Sequence, residues 1–414
     1  MKNKIGILSL GCPRNLVDSE NILGRLSMNG HKIVDMDKAD VAIVNTCAFI
    51  DEAKRESIEA ILDLIELKKS GKLKKVIVYG CLAQRYKDKL KKDLPEVDAF
   101  VGKVSLNHEV KRFPITPRHF VYLKICEGCI NSCSYCVIPK IKGKFVSLEE
   151  KSILGKVTRF SEEGVSELNI IGQDITGFGM DLYGETSLVA LLKKIAKLAK
   201  NIRWIRLLYL QPERVNDDLL KLIKDEPKIC KYIDLPIQHI NDRILKLMNR
   251  KTSREKIEKT VARVRKIIPE AAIRTSVITG FPTETETEFK ELLDFIEETK
   301  FERLGAFTYS AEEGTAAYKL KPRVAQEVMR ERFDRIMMLQ QEVSRANNIK
   351  LSGNVLEVLI DEKQDDSYLG RTQFDAPEVD GLVYVNSSGG IKPGDFVKVK
   401  ITDTLEYDLV GDAL

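Results

Sequence analysis

The sequence predicts an α/β protein in three parts: an amino-terminal open parallel sheet with helices, a central partial (β/α)6 barrel, and a small antiparallel β-barrel at the carboxyl end. Three observations predict it. Apolar runs of four to six residues alternate with helix-length amphipathic stretches from Ile5 onward, the rhythm of β-α-β units built on parallel strands. The alternation restarts after Pro114 and Pro117. Past residue 350 it gives way to short alternating strands with turn signals at Ser388-Gly-Gly and Pro393-Gly-Asp.

In the first part the strand runs are Ile5 to Leu10, Val41 to Val44 and Val76 to Tyr79, with helices from about Val17 to Met28 and Ala53 to Leu67 between them. Cys12, Cys47 and Cys81 each follow one of these runs, 35 and 34 residues apart. Open α/β sheets bind ligands at the carboxyl edge of their strands, so three thiols at equal strand positions are placed to converge on one site. The plain alternative is three unrelated thiols packed as small hydrophobes. In the second part the strand candidates are His119 to Ile125, Leu168 to Ile171, Trp204 to Leu208, Tyr232 to Leu235, Ile273 to Ile278 and Leu304 to Thr308. Six strands with helical spacers suit an incomplete parallel barrel, whose chemistry sits on the carboxyl-end face. A helix from about Val324 to Lys350 leads out to strands at Val355 to Ile360, Gly381 to Val385 and Phe396 to Ile401. The expected domains are therefore 1–115, 118–345 and 351–414.

The loop after the first barrel strand reads Cys126-Glu-Gly-Cys129-Ile-Asn-Ser-Cys133-Ser-Tyr-Cys136. Cys129, Cys133 and Cys136 have the spacing to put three thiolates on three corners of a cuboid iron-sulfur cluster, leaving one iron open, where an electron-transfer cluster takes four cysteines. The competing reading adds Cys126 and makes a four-sulfur zinc knot, although zinc knots usually set two Cys pairs well apart. Eight cysteines without a secretory leader predict reduced thiols and a cytoplasmic protein. No stretch reads as membrane-spanning, and Gly11-Cys-Pro-Arg-Asn-Leu lacks the Gly-Lys-Ser/Thr ending of a phosphate loop. The net charge of +5 is unevenly placed: residues 351–414 carry five Lys/Arg against thirteen Asp/Glu, a net of −8, and the body carries +13. A basic body suits nucleic acid or a ribonucleoprotein and an acidic tail suits a basic protein, unless both are ordinary solvated surfaces.

Over essentially its whole length the chain resembles the radical S-adenosylmethionine methylthiotransferases. The resemblance is carried by Leu10-Gly-Cys12-Pro-Arg-Asn-Leu-Val-Asp-Ser-Glu20, Asn45-Thr-Cys47-Ala-Phe, Tyr79-Gly-Cys81-Leu-Ala-Gln, the Cys129, Cys133, Cys136 loop, Gly280-Phe-Pro-Thr-Glu-Thr-Glu286 and a tail of the TRAM β-barrel type. It implies a radical S-adenosylmethionine barrel and two 4Fe-4S clusters, one on Cys129, Cys133 and Cys136 and a second, sulfur-carrying one on Cys12, Cys47 and Cys81. It also implies S-adenosylmethionine as the source of a 5′-deoxyadenosyl radical, a reductant protein such as flavodoxin or ferredoxin, and a sulfur donor. Two substrates divide the family: an adenosine of transfer RNA, and the β-carbon of an aspartate in the twelfth protein of the small ribosomal subunit. The start Gly11 to Glu20 and the tail Gly370-Arg-Thr-Gln-Phe-Asp-Ala-Pro-Glu-Val-Asp-Gly-Leu-Val-Tyr-Val385 look like the ribosomal-protein enzymes. The acidic tail agrees, being a poor clamp for transfer RNA and a dock for a basic protein. A zinc-stabilised RNA-binding protein is the alternative of another class.

The family places an aromatic beside the adenine ring where Tyr135 stands; packing beneath the loop is the plain reading. No catalytic side chain is assigned. Cys126 and Cys230 read as packed thiols and His239 as a satisfied core or loop histidine. Gln173, Asp174 and Arg274, near strand ends, either meet a ligand or cap helices.

Overall fold

The computed structural model describes residues 2–103, 112–365 and 367–414; residues 104–111 of the expected first domain lie outside them. The chain divides into two compact units. The first comprises Met1–Thr116, Glu127–Val146 and Ser310–Tyr318, and the second comprises Pro117–Cys126, Ser147–Tyr309 and Lys319–Leu414.

The first unit is built on β1 (Lys4–Ser9), α1 (Pro13–Met28), β2 (Lys32–Ile33), β3 (Val41–Thr46), α2 (Asp51–Lys69), β4 (Lys75–Gly80), α3 (Cys81–Asp93) and β5 (Ala99–Val101). Its sheet is parallel throughout, in the order β2-β1-β3-β4-β5. All six residues of the central β3 are buried, which is why Val41 to Val44 reads as a continuous apolar run. Val44, Ile61, Val76, Val78 and Phe100 form the core with Val137 and Ile141 of the cysteine-loop segment. Each such side chain contributes about 1.5–3 kcal/mol on burial. Helix α1 starts at Pro13, four residues before its apolar pattern does. Proline at the first helical position is pre-set for the helix, and the buried face here is polar: Asn15, Asp18, Ser19, Glu20 and Asn21 are all inside. Glu20, for example, accepts from the backbone N–H of Ile115 at 3.2 Å.

The barrel opens with β6 (Phe120–Lys124). Two short paired strands, β7 (Cys126–Glu127) and β8 (Val146–Ser147), flank the cysteine loop and α4 (Ile138–Lys142). The chain continues through α5 (Glu150–Glu162), β9 (Glu167–Ile171), α6 (Met180–Tyr183), α7 (Leu188–Leu198), β10 (Trp204–Leu207), α8 (Asp217–Asp225), β11 (Tyr232–Asp234), α9 (Asp242–Leu247), α10 (Arg254–Ile267), β12 (Ala272–Thr279), α11 (Glu286–Thr299) and β13 (Arg303–Thr308). The six barrel strands form two parallel triplets, β10-β9-β6 and β11-β12-β13. A single bridge, Ile205 to Ile229, crosses the seam. There the Asp234 side chain accepts from the backbone N–H of Tyr209 at 2.7 Å, beside the main-chain bond from the Leu210 N–H to the Asp234 carbonyl at 3.0 Å.

Helix α12 (Gln326–Ile349) leads to a closed barrel of β14 (Val355–Gln364), β15 (Ser367–Thr372), β16 (Val383–Asn386), β17 (Phe396–Thr404) and β18 (Leu409–Ala413), in the order β14-β15-β16-β18-β17. Four pairings are antiparallel, and β16 with β18 is parallel. Strands β15 and β18 escape the apolar pattern because each holds a glycine where the neighbouring strand comes close. A Cβ on Gly370 or Gly411 would lie 2.5 Å from Val358 or from the Lys400 carbonyl.

Within the second unit this small barrel is fastened to the amino-end side of the larger one by buried charge. Arg371 reaches Glu167 at 2.8 Å and Asp361 at 2.7 Å, and Glu167 also takes Arg206 at 2.9 Å. Burial alone would raise the Glu167 carboxyl, but the two guanidiniums hold it below its ordinary value. Arg303 pairs with Asp375 at 2.6 Å, and Asp380 takes Tyr232 at 2.6 Å and Arg274 at 3.2 Å. The −8 of the tail is therefore not all surface, since Asp375 and Asp380 pair with the barrel's Arg303 and Arg274, and Asp361 pairs with the tail's own Arg371. The charge argument for a basic partner is weaker than the count suggests. Among the described residues no helix is long and apolar enough to cross a membrane.

Candidate cluster site

Both cysteine sets lie in the first unit. Its sheet order reverses between β1 and β3, and in open α/β sheets the crevice at such a reversal is where ligands bind. Cys12 follows β1 and precedes α1, Cys47 directly follows β3, and Cys81 opens α3 directly after β4. Topology thus brings three thiols distant in sequence to adjacent strand ends.

Asn15 clamps the three loops. Its amide nitrogen donates to the carbonyls of Leu10 and Thr46, both at 3.2 Å, and its oxygen accepts from the Cys81 thiol at 3.6 Å. Asn45 returns the contact, donating to the Asn15 carbonyl at 2.7 Å. Ser57 accepts from the Cys47 N–H and donates to its carbonyl, both at 3.0 Å. Gly11 leaves the room: at φ +86°, a Cβ there would stand 2.8 Å from the Cys47 Cβ and 3.1 Å from its sulfur.

The electrostatics separate these thiols. Burial pushes Cys81 up to about 12 and raises Cys47. Burial also works against Cys12, yet Arg14, which donates to its sulfur at 3.4 Å, together with the Asn15 N–H and the charge of Lys142, brings it below the ordinary thiol value. Lys142 is itself buried, 3.0 Å from Asp18 on α1, and its charge also favours the Cys81 thiolate.

In the cysteine loop the sulfurs are met by N–H donors: Asn131 on Cys129 and Ile138 on Cys136, each at 3.4 Å. Donors of this kind favour anionic sulfur. Burial nonetheless raises the bare Cys136 thiol to about 12, a cost that a bound cation would remove. Two sets of three thiols with no other donor type, N–H groups on the sulfurs and a glycine cradle fit iron-sulfur clusters. Among the described residues no three His, Cys, Asp or Glu stand close enough to hold a single ion. Cys126 belongs to the second unit, where its buried thiol donates to the Asp174 carbonyl at 3.6 Å.

Tyr135 lies half-buried in the turn between Cys133 and Cys136. Asp174 caps the short turn Ile175–Gly177 and pairs with Arg214, while Arg274 bonds Asp234 and Asp380. His239 accepts from the Asn241 N–H on Nδ1 at 3.0 Å, so Nε2 carries the proton and donates to Glu284 at 3.1 Å. Cys230 is buried, its thiol pushed up to about 11 by that burial. Gln173 differs: both atoms of its amide are buried without a hydrogen-bond partner at the carboxyl end of β9, as is Oε1 of Gln211 after β10. Unsatisfied amides on the functional face of a barrel fit a polar ligand. A concavity of about 580 Å3 lined by Arg118, His119, Glu163, Ser166, Asp361 and Asp395 lies at the opposite ends of β6 and β9 and is not this site. Sequence reasoning missed Asn15, Arg14 and Lys142. Only the polar run after Cys12 hinted at the first two, and nothing marked Lys142 as internal.

Three family models match the chain: "Uncharacterized protein family UPF0004" over residues 4–102, "Radical SAM superfamily" over 123–296 and "TRAM domain" over 353–414. The ribosomal protein uS12 methylthiotransferase RimO of Clostridioides difficile is 47% identical over 99% of this chain and 99% of its own. That of Thermoanaerobacter sp. is 46% identical over the whole of both. Among solved structures, the radical S-adenosylmethionine methyltransferase TsrM from Kitasatospora setae superposes with a TM-score of 0.52 at 12% identity, covering 88% of this chain and 79% of that one. The last likeness is one of fold.

Proposed function

The chain belongs to the ribosomal protein uS12 methylthiotransferase family, and on that premise we propose a radical S-adenosylmethionine enzyme that adds a methylthio group to the β-carbon of an aspartate side chain of uS12, the twelfth small-subunit protein. The observation that carries this reading is near-half identity over both whole chains, joined to two cysteine triads gathered in one unit. Two 4Fe-4S clusters and S-adenosylmethionine, when bound, would supply one-electron cleavage of a sulfonium bond, a carbon-centred radical, the methyl group and a carrier for the sulfur.

The protein's own part is holding and shielding. Cys129, Cys133 and Cys136 hold one cluster, with the N–H groups of Asn131 and Ile138 on two of the sulfurs. Cys12, Cys47 and Cys81 hold the other, with Arg14 and Lys142 balancing its negative charge. Burial of Cys47 and Cys81 keeps water from that side. Tyr135 is placed in this reading beside the adenine of S-adenosylmethionine, and Gln173 and Gln211 give polar contacts on the barrel face. Domains 1–115, 118–345 and 351–414 divide the work, a division that the three family matches support. The electron comes from a reductant protein such as flavodoxin or ferredoxin and the sulfur from a separate donor, both in the cytoplasm. The partner is uS12, not transfer RNA.

The test is an anaerobic reaction of the reconstituted protein with S-adenosylmethionine, reductant and sulfide, offering uS12 and transfer RNA in parallel. A methylthio mass gain on an aspartate of uS12 alone is expected. A gain on adenosine alone would overturn the reading.

A further inference from the structure

Between β13 and α12 the chain leaves the second unit, and Ser310–Tyr318 packs wholly within the first. This nine-residue segment is fixed at both ends to the cysteine loops. At one end Glu312, almost fully buried, takes Arg85 at 2.5 Å and Lys54 at 3.1 Å. Arg85 stands one helical turn after Cys81 and also donates to the carbonyl of Ala48, the residue after Cys47, at 3.1 Å. Its other nitrogen donates to the Glu313 carbonyl at 2.9 Å. Lys54 lies in the first turn of α2, the helix after Cys47, and Ser310 accepts from the N–H of Asp51 there at 3.1 Å while donating to Glu312 at 2.7 Å. At the other end the N–H of Ala317 donates to the carbonyl of Ser134, between Cys133 and Cys136, at 2.8 Å. Thr315 donates to the Glu312 carbonyl at 2.7 Å and keeps the intervening turn closed.

One short segment therefore grips the Cys47 and Cys81 loops with one end and the Cys129–Cys136 loop with the other. We propose that Ser310–Tyr318 is a spacer strap whose buried Glu312, through Arg85 and Lys54, sets the separation of the two cysteine triads, making Glu312 a positioning residue for transfer between them. This rests on the two-cluster reading above. The chemistry asks for such a device, because a group held at one triad must reach a carbon activated at the other, and an error of about 1 Å can cost roughly a hundredfold in rate. An ion pair suits the task. A carboxylate shared by two cations fixes direction and distance, and its burial protects it from screening by salt.

The test compares wild type with Glu312→Gln and Glu312→Asp. In the metal-free proteins, amide hydrogen exchange at Asp51 and Ala317 is expected to speed at least fivefold in Glu312→Gln and to be partly restored in Glu312→Asp. In the reconstituted proteins the iron content and the slow cleavage of S-adenosylmethionine without substrate are expected to match wild type. The magnetic coupling between the two reduced clusters should weaken, and methylthio transfer to uS12 should fall at least tenfold. Faster amide exchange with unchanged coupling and transfer would overturn the inference. So would loss of iron from Glu312→Gln, which would make the segment a requirement for assembly instead of spacing. A wild-type protein holding only one cluster's iron would overturn the functional reading and the strap with it, and shows itself before any substitution is made.

Discussion

The two cysteine triads of the first unit are built by opposite means. Cys129, Cys133 and Cys136 are close because the chain between them is short, and local N–H groups of Asn131 and Ile138 meet two of the sulfurs. Cys12, Cys47 and Cys81 are close only because three parallel strands end side by side, and a buried asparagine, Asn15, ties the three loops together. The comparison teaches where each site is vulnerable. A local loop fails when its own residues change, whereas a topological site fails when anything that sets strand register or loop spacing changes.

The largest expected effect separates the two directly. Replacing Cys12, Cys47 and Cys81 by Ala should remove about half the iron of the reconstituted protein and all methylthio transfer, while cleavage of S-adenosylmethionine persists. Replacing Cys129, Cys133 and Cys136 should also halve the iron but abolish the cleavage. Iron analysis and assay of 5′-deoxyadenosine decide it, and identical behaviour of the two triples would break the comparison.

Lys142 sharpens it, because a residue just after the local loop reaches across to Asp18 beside the topological triad. Lys142→Met removes the buried cation that stands 3.0 Å from the Asp18 carboxylate, and breaking that buried pair is expected to destabilise the metal-free protein by about 3–5 kcal/mol, measured by urea unfolding. Adding Asp18→Asn should recover much of that loss. A cost below about 1 kcal/mol for the single change would show that the pair is solvated and the coupling weak.

The smallest effects compare two glycines with positive φ. At Gly143, φ +82° and ψ −161° with nothing within 4 Å of a Cβ, alanine should cost about 1–3 kcal/mol from backbone strain alone. At Gly80, φ +99°, a Cβ would meet Asn45 Oδ1 at 2.3 Å and the Thr46 carbonyl at 2.9 Å, which adds roughly 1–3 kcal/mol of overpacking. Gly80→Ala should also slow iron uptake by the topological triad, since it shifts the residue before Cys81. Equal melting temperatures for the two variants would argue that β4 carries Cys81 without help from its neighbours.

Much of the fold was legible because its signals are local. The β3 run Val41 to Val44 is apolar throughout because it is covered on both faces, and the barrel strands from Phe120 to Thr308 are bounded by helical spacers that periodicity detects. Strands β15 and β18 were not legible, because Gly370 and Gly411 are there for a neighbour's approach that no pattern within the strand announces. The start of α1 was hidden for a related reason: its buried face is polar, its Ser19 and Asp18 satisfied by Asn45 and Lys142, which lie 26 and 124 residues away. Opposite charge in the tail was legible as a count and overstated as a surface, since Asp361, Asp375 and Asp380 turn inward onto His119, Arg303 and Arg274.

The sequence by itself determined the α/β rhythm, the local triad and the family, because spacing along a chain is preserved wherever the chain goes. Only the tertiary structure decided that Cys126 faces Asp174, that Arg14, Asn15 and Lys142 surround the second triad, and that Ser310–Tyr318 folds back onto both cysteine loops. Apart from Arg14 on its neighbour Cys12, those are contacts between residues far apart in sequence, and they exist only once burial has made unpaired polar groups too costly to leave unmatched.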